Sequence, residues 1–323
     1  MEPPAQIKPA EVKPPETKPV AADLAGLLIH QSPHLRWYHL EEPESPLLER
    51  LGQELGFHEL EIEDCRHQRH TSKLEEYESH IFVIANTLHF VPETLGVWFG
   101  ELGIFVGPDF IVTVHVGPTR SVNERLPRIK SIPKLQRPDR VLYELLDSMV
   151  DRYLPVLDQI GDRIDQIEDE IRQSPTTKVL EEIFALRRGL TEFRRTVGSM
   201  REMVNAFMRL RAPYFRADMS AYWRDLYDHV IRALNMLENH RELLASVLEV
   251  YLSSVANRTN EIMKVLTVWA TIALPLVVIT GYFGMNFEDL PLLQSWQGML
   301  LTTLLLVALP VGMLAFFHKR GWL

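Results

Sequence analysis

Two stretches near the C-terminal end of the chain carry no charge at all: Val265 to Phe283, VLTVWATIALPLVVITGYF, and Gly298 to Phe317, GMLLTTLLLVALPVGMLAFF. They are 19 and 20 residues long, and at about 1.5 Å per residue each reaches across a hydrocarbon core of about 30 Å. A helix that is apolar on every side must be surrounded by apolar matter, so the sequence predicts two transmembrane helices, 265–283 and 298–317. Pro275 and Pro310 lie inside them. A soluble helix interior tolerates proline poorly, whereas in a membrane helix neighbouring groups take up the freed carbonyl.

Charge sets the expected orientation. The segment between the spans, 284–297, contains Glu288 and Asp289 and neither Lys nor Arg. Arg258 and Lys264 precede the first span, and His318, Lys319 and Arg320 follow the second. Positive flanks stay inside, which predicts a multi-pass inner or plasma membrane protein with both termini cytoplasmic, 318–323 included, and the acidic loop outside. Tyr282, Trp296 and Trp322 fall where interfacial aromatics belong.

The rest of the chain reads as soluble. Residues 1–23 form a tail rich in Pro, Lys and Glu that cannot bury enough apolar surface to order itself. Residues 24–135 mix helical patterns with strand-like runs, IFVIANTLHF at Ile81–Phe90 and FIVTVHV at Phe110–Val116, between Gly-Pro turns, and predict an α/β domain. In residues 136–264 the period lengthens. Leu142, Leu146, Met149, Tyr153, Val156 and Ile160, then Val179 through Phe207, then Leu226 through Tyr251, recur at spacings of three and four. That predicts long coiled-coil-like helices, antiparallel across a turn near Ser174-Pro175, the last running unbroken into the first span. The net charge of −9 argues against a nucleic-acid partner, which needs a basic patch, and favours a cation. The lone Cys65 rules out an intrachain disulfide. Phosphate-loop, nucleophile-elbow and dinucleotide motifs are absent, so no enzyme and no nucleotide-driven pump is expected.

One face of the first span carries a mixed stripe. Asn260, Met263, Thr267, Ala270, Leu274, Val277 and Gly281 follow one another at three and four residues. In a ring of identical copies this stripe could line a pore, or it could be a packing seam that holds helices together. Glu288 and Asp289, repeated around a ring, would form an outer acidic loop that concentrates cations. Cys65, His67 and His70 offer a C-x-H-x-x-H spacing for zinc, but a structural site needs four ligands, and a solvated helix end is the expected setting. His115 reads as an ordinary strand histidine, and Asp162, Asp165, Glu168, Asp169 and Glu170 as a solvated acidic face.

Gly284-Met285-Asn286 closes the first span and is followed by Phe287-Glu288-Asp289. With Tyr251-Leu252-Ser253-Ser254-Val255, Asn260-Glu261, Met263 to Thr267, Arg224 to His229 and Leu60 to Asp64, this motif resembles the CorA family of divalent-cation channels over about residues 36 to 323. The resemblance implies an α/β cytoplasmic domain followed by long coiled-coil-like helices and two C-terminal transmembrane helices, assembled with itself into a funnel-shaped homopentamer. The first span would line the pore and the second would face lipid. It implies Gly284, Met285 and Asn286 as the outer selectivity filter, Asn260 as a polar ring at the cytoplasmic end, and Met263, Leu266 and Leu274 as a hydrophobic constriction. It further implies that Asp64 and Asp225 hold a regulatory cation between neighbouring subunits, with Glu63 and Asp147 at a second such site. Mg²⁺ is then both transported and regulatory, and no organic cofactor is expected. The chain departs from the family pattern at Val277, where members often have threonine.

The function expected is uptake of divalent cations, Mg²⁺ first and Co²⁺ or Ni²⁺ besides, gated by cytoplasmic Mg²⁺. A zinc or cobalt transporter of the related ZntB branch, coupled to protons, is the alternative. A membrane-anchored coiled-coil scaffold is a further one, and it would be indifferent to Asn286.

Overall fold

The computed structural model describes residues 24–67, 71–91, 96–117, 119–210, 215–285 and 295–322. These fall into two compact units, one running to Asp162 and including Ala185–Arg241, the other made of Arg163–Phe184 and Glu242–Leu323.

The first unit is built on six strands: β1 (Leu28–Ser32), β2 (Leu35–Leu40), β3 (Lys73–Glu76), β4 (Ile81–Val91), β5 (Gly96–Val106) and β6 (Phe110–His115). Their order across the sheet is β1-β2-β6-β5-β4-β3, with β2 and β6 parallel and every other pair antiparallel. The strand-like runs of the sequence correspond to β4 and β6. The first eight residues of β4 are all buried, because both faces of the sheet are covered, and this is why the run reads as continuously apolar rather than alternating.

On one face Tyr38, Leu40, Phe82, Ile84, Phe105, Val112 and Val114 pack with Leu48 and Leu51 of α1 (Pro46–Leu55) and Cys65 of α2 (Glu59–Arg66). Cys65 is therefore a core residue and not part of a solvated helix end, and burial pushes its thiol pKa up. Gly103 makes the room, since a Cβ there would lie 2.8 Å from the Cys65 sulfur. Further along the chain come α3 (Arg120–Ser131) and α4 (Pro138–Val150), and α4 lies against β4, β5 and β6 with Val141, Leu142, Leu145 and Leu146 fully buried.

The long-period region holds three more helices, α5 (Tyr153–Gln173), α6 (Thr177–Phe207) and α7 (Ser220–Phe283). The run from Leu142 to Ile160 is broken at Asp151-Arg152, where Pro155 in the first turn of α5 cannot donate to the residue four before it. The antiparallel turn falls at 174–176, as expected. Within the first unit, Phe193 meets Tyr153 edge-on with ring centres 5.4 Å apart, and Phe207 stacks on Trp223 at 4.6 Å. Gly161 lets α5 approach α7, because a Cβ there would lie 2.9 Å from the His240 ring.

In the second unit Arg163 bridges Glu182 and Glu170 at 2.7 and 2.9 Å beside the turn. The membrane-length helices are α7, in its C-terminal part, and α8 (Trp296–Lys319). Val268 and Ile272 of α7 pack with Phe317 and Met313 of α8, and Lys264 Nζ donates to the Gly321 carbonyl at 2.9 Å. Ser295 caps the start of α8 by accepting from the Gly298 amide at 3.1 Å. Gly321, at φ +69°, turns the chain out of its end, and the Gly321 and Trp322 amides donate back to His318 and Phe317.

Candidate functional site

The stripe on α7 has a definite relation to α8. At about 100° per residue, Asn260, Met263, Leu266, Thr267, Ala270, Leu274, Val277 and Gly281 centre about 160° around the helix from Val268 and Ile272, which face α8. All eight are exposed in the single chain, Leu274 at 67% and Val277 at 64%. The helix thus keeps one face for α8 and leaves the opposite face, with its mixture of amide, hydroxyl, small and apolar groups, without a partner among the described residues. Thr267, Thr271 and Thr280 donate to the carbonyls of Met263, Thr267 and Leu276 at 2.7, 2.7 and 2.8 Å. Each hydroxyl proton is thereby used within the helix, as is common for Thr in an apolar helix.

Gly284 and Met285 follow directly on α7. The Gly284 amide donates to the Thr280 carbonyl at 2.9 Å, and a Cβ at Gly284 would lie 2.9 Å from that same oxygen. A backbone atom cannot step aside, so the position accepts only glycine without strain. Asn286, Glu288 and Asp289 lie outside the described residues, as does His70. His67 is exposed at the end of α2 while Cys65 is buried.

The proposed regulatory residues belong to the first unit. Glu63 and Asp64 ride on α2, whose start is fixed by a capping box between His58 and Glu61. Glu61 also meets His80 at 2.9 Å, and both side chains are fully buried. With Glu61 turned inward, Glu63 is exposed and Asp64 half-buried. Asp64 has a tethered cation beside it: Lys73 Nζ lies 2.5 Å from its carboxylate and 2.7 Å from Glu75. Burial disfavours the Lys73 charge, but the hydrogen bonds it donates to Asp64 and Glu75, with their negative charges, outweigh it and hold the pKa above the usual value.

Asp147 of α4 and Asp225 of α7 are brought together by one hydroxyl, Tyr143 Oη, at 3.4 and 3.3 Å. Asp151 and His229 complete a cluster that the sequence reading did not single out. Donor atoms of Asp147, Asp151 and His229 all lie within 4.8 Å of one another, close enough to share a cation. The spacing held a signal, since Asp147 with Asp151 and Asp225 with His229 are each four residues apart, one helical turn. Arg125 of α3 lies 3.3, 3.4 and 3.5 Å from Asp147, Asp151 and Glu144. Burial first, then the Asp151 charge, push the Asp147 carboxyl above the usual range against the pull of Arg125 and His229. Both carboxylate groups therefore already have a built-in positive charge, and a divalent ion must compete with it.

A soluble unit of sheet and helices joined to two C-terminal spans defines a membrane protein, with its polar stripe on the first span and its carboxylates in the soluble part. The chain belongs to the CorA-like Mg²⁺ transporter protein family, whose profile matches residues 32–320. It is 32% identical over 280 residues to the cobalt/magnesium transport protein CorA of Thermotoga maritima, covering 86% of this chain and 80% of that one. Among solved structures, the CorA magnesium transporter of Methanocaldococcus jannaschii superposes with a TM-score of 0.76 at 24% identity, over 90% of this chain and 91% of the other. The ZntB cytoplasmic domain of Vibrio parahaemolyticus matches at TM-score 0.56 and 11% identity, over 72% of this chain and 90% of that one. These structural likenesses establish the fold.

Proposed function

We propose that the chain assembles as a homopentamer that conducts divalent cations, Mg²⁺ first and Co²⁺ and Ni²⁺ besides, into the cytoplasm through a path lined by α7. The observation that carries this reading is the family membership, joined to a relative at 32% identity named for cobalt and magnesium transport. The chemistry agrees. Mg²⁺ gives up its water reluctantly, so neutral acceptors that hydrogen-bond to a hydration shell suit it better than a carboxylate cage. A ring of Asn286 carboxamides, the residue next in sequence to Gly284 and Met285, would offer such acceptors. Below it, Leu274, Leu266 and Met263 form an apolar neck that excludes water when narrow, down to the Asn260 ring. The membrane potential supplies the drive, about 2.3 kcal/mol per charge per 100 mV and twice that for a divalent ion.

Gating follows from the carboxylates. Asp64 with Asp225 of a neighbouring subunit, and Glu63 with Asp147, repel each other unless a cation lies between them. Bound Mg²⁺ favours the closed ring, and its loss at low cytoplasmic Mg²⁺ lets the subunits move apart. Lys73 and Arg125 weaken these sites by offering the same carboxylates a positive charge at no cost in ion concentration. Both termini lie in the cytoplasm, as the positive flanks require. The deciding experiment is metal flux into liposomes holding the purified protein, comparing Mg²⁺, Co²⁺, Ni²⁺ and Zn²⁺ with and without a pH gradient. Potential-driven Mg²⁺ flux without a pH gradient supports the proposal. Flux of Zn²⁺ alone that requires the gradient overturns it in favour of a coupled zinc transporter, and no flux of any ion favours a scaffold.

A further inference from the structure

His39, His89 and His115 lie on one face of the sheet. His39 of β2 stands beside Thr113 of β6, and His115 follows two residues on. His115 pairs with Leu102 of β5, while Gly100 and Trp98 of that strand pair with Thr87 and His89 of β4. Side chains two apart share a face, so His39, His115, Gly100, Thr87 and His89 all look the same way. A Cβ at Gly100 would lie 2.9 Å from Thr87 Oγ1, 3.3 Å from His89 Nε2 and 3.6 Å from His115 Nε2. The strand between the two histidines thus gives up its side chain at the point on which their ring nitrogens converge.

The rings arrive with lone pairs to give. His115 is buried, and its Nδ1 lies 2.8 Å from the Gly117 carbonyl, which can only accept, so the proton sits on Nδ1 and the lone pair on Nε2. A carbonyl behind the ring is the usual companion of a metal-binding imidazole. Trp98 stacks on the His89 ring at 3.8 Å and holds it over the gap. Burial first, then the charges of His115, Arg120 and Arg152, keep the His89 pKa below its usual value, which leaves that ring neutral at pH 7. Arg152 is paired with Glu124 at 2.6 Å and Arg120 is exposed, so a counter-charge and solvent screen both. His39 adds to the surplus. Thr113 Oγ1 directs its proton to the Tyr38 carbonyl at 3.2 Å, so His39 Nδ1 donates to that oxygen at 2.9 Å. His39 Nε2 is then a buried lone pair with no hydrogen bond among the described residues, Glu41 Oε1 being 3.9 Å away and out of hydrogen-bond reach. This face holds more imidazole lone pairs than donors to meet them.

From this arrangement we infer that the first unit binds a divalent transition ion of the Zn²⁺, Co²⁺ or Ni²⁺ kind above Gly100, with His89 Nε2 and His115 Nε2 as its protein ligands and water completing the shell. Nitrogen donors select such ions over Mg²⁺, which takes oxygen. The ion needs the space that any side chain at position 100 would fill. The cluster of Asp147, Asp151 and His229 is built on other elements, α4 and α7 and the link after α4. Equilibrium binding at the sheet needs no pore, so the inference stands apart from ion conduction.

The test is titration calorimetry with Zn²⁺ on the full-length, tag-free protein in detergent, in excess Mg²⁺ so that oxygen sites are already filled. One saturable Zn²⁺ step per chain is expected from this site. His89→Gln, at a half-buried position, should weaken that step at least about a hundredfold, since loss of an outer partner alone costs about 10–100-fold. Gly100→Ala keeps every ligand and should abolish the step by filling the gap. His67→Gln, at the exposed end of α2, and His229→Gln should leave it unchanged. His89→Gln must match the parent's elution volume and thermal midpoint without zinc, and it decides the matter if Gly100→Ala fails to fold. The inference is overturned if the parent shows no such step, if the step survives His89→Gln or a folded Gly100→Ala, or if it disappears with His67→Gln or His229→Gln.

Discussion

Leu145 and Leu274 are both leucines in the middle of helices, yet Leu145 is fully buried against the sheet and Leu274 is 67% exposed. The first unit puts its large side chains inside, with Trp37, Phe82, Phe105 and Phe193 at no exposure. The membrane-length parts of α7 and α8, within the second unit, put them outside, and among their described hydrophobic residues only Val268, Ile272 and Phe317 are buried. The first unit gains its stability by taking apolar surface out of water. Helices of membrane length need no such core, because an apolar bilayer stands where a soluble helix would need a buried interior. Polar groups show the same inversion. In the first unit charges cluster where a cation can gather them, at Asp147, Asp151 and His229, whereas in α7 the hydroxyls of Thr267, Thr271 and Thr280 are turned back on their own helix.

Substitutions in the two units should therefore fail in different ways. The largest effect is expected from Asn286→Ala, which should abolish Mg²⁺ uptake into liposomes while the protein still elutes at the parent's volume. Wild-type flux would remove the filter assignment. Next come the paired leucines. Leu145→Ala should lower unfolding free energy by about 2–5 kcal/mol through its cavity, measured by denaturant titration in detergent. Leu274→Ala should cost less than about 0.5 kcal/mol, as exposed sites do, and instead alter the closed-state leak. If both variants were destabilised alike, the contrast between the units would not hold. Gly284→Ala should lower flux about tenfold, since its Cβ would press on the Thr280 carbonyl. The smallest change belongs to Glu288→Gln with Asp289→Asn, a roughly two- to threefold drop confined to low ionic strength, because exposed charges steer ions by screened attraction.

Features fixed by solvent and charge were legible in the sequence. The spans showed as runs without charge, β4 and β6 as dense apolar strings, and the 174–176 turn as a Ser-Pro break in the helical period. β5 was not legible, because Gly96, Gly100 and Gly103 interrupt it, and it is held as a strand by β4 and β6 on either side. β1 and β2 are short, and the period alone cannot tell them from loop. Cys65 read as surface because its sequence neighbours are charged, yet the gap above Gly103 takes it inward. At the candidate cation sites the carboxylates were legible and their neutralisers were not. Lys73 and Arg125 lie on other elements than Asp64 and Asp147, and only tertiary packing brings them there.

The central claim is that a cation on the carboxylates of the first unit controls flux through the second. It is tested most directly by recording Mg²⁺ current through the purified protein in a planar bilayer while cytoplasmic-side Mg²⁺ is raised, for the parent and for Asp225→Asn. The Mg²⁺ concentration that half-suppresses the current should rise about tenfold or more in the variant, one missing carboxylate being worth at least about 1.4 kcal/mol to the bound ion, with the open-state current unchanged. Suppression at the same concentration in both proteins would contradict the claim and leave Asp225 as an ordinary packing residue.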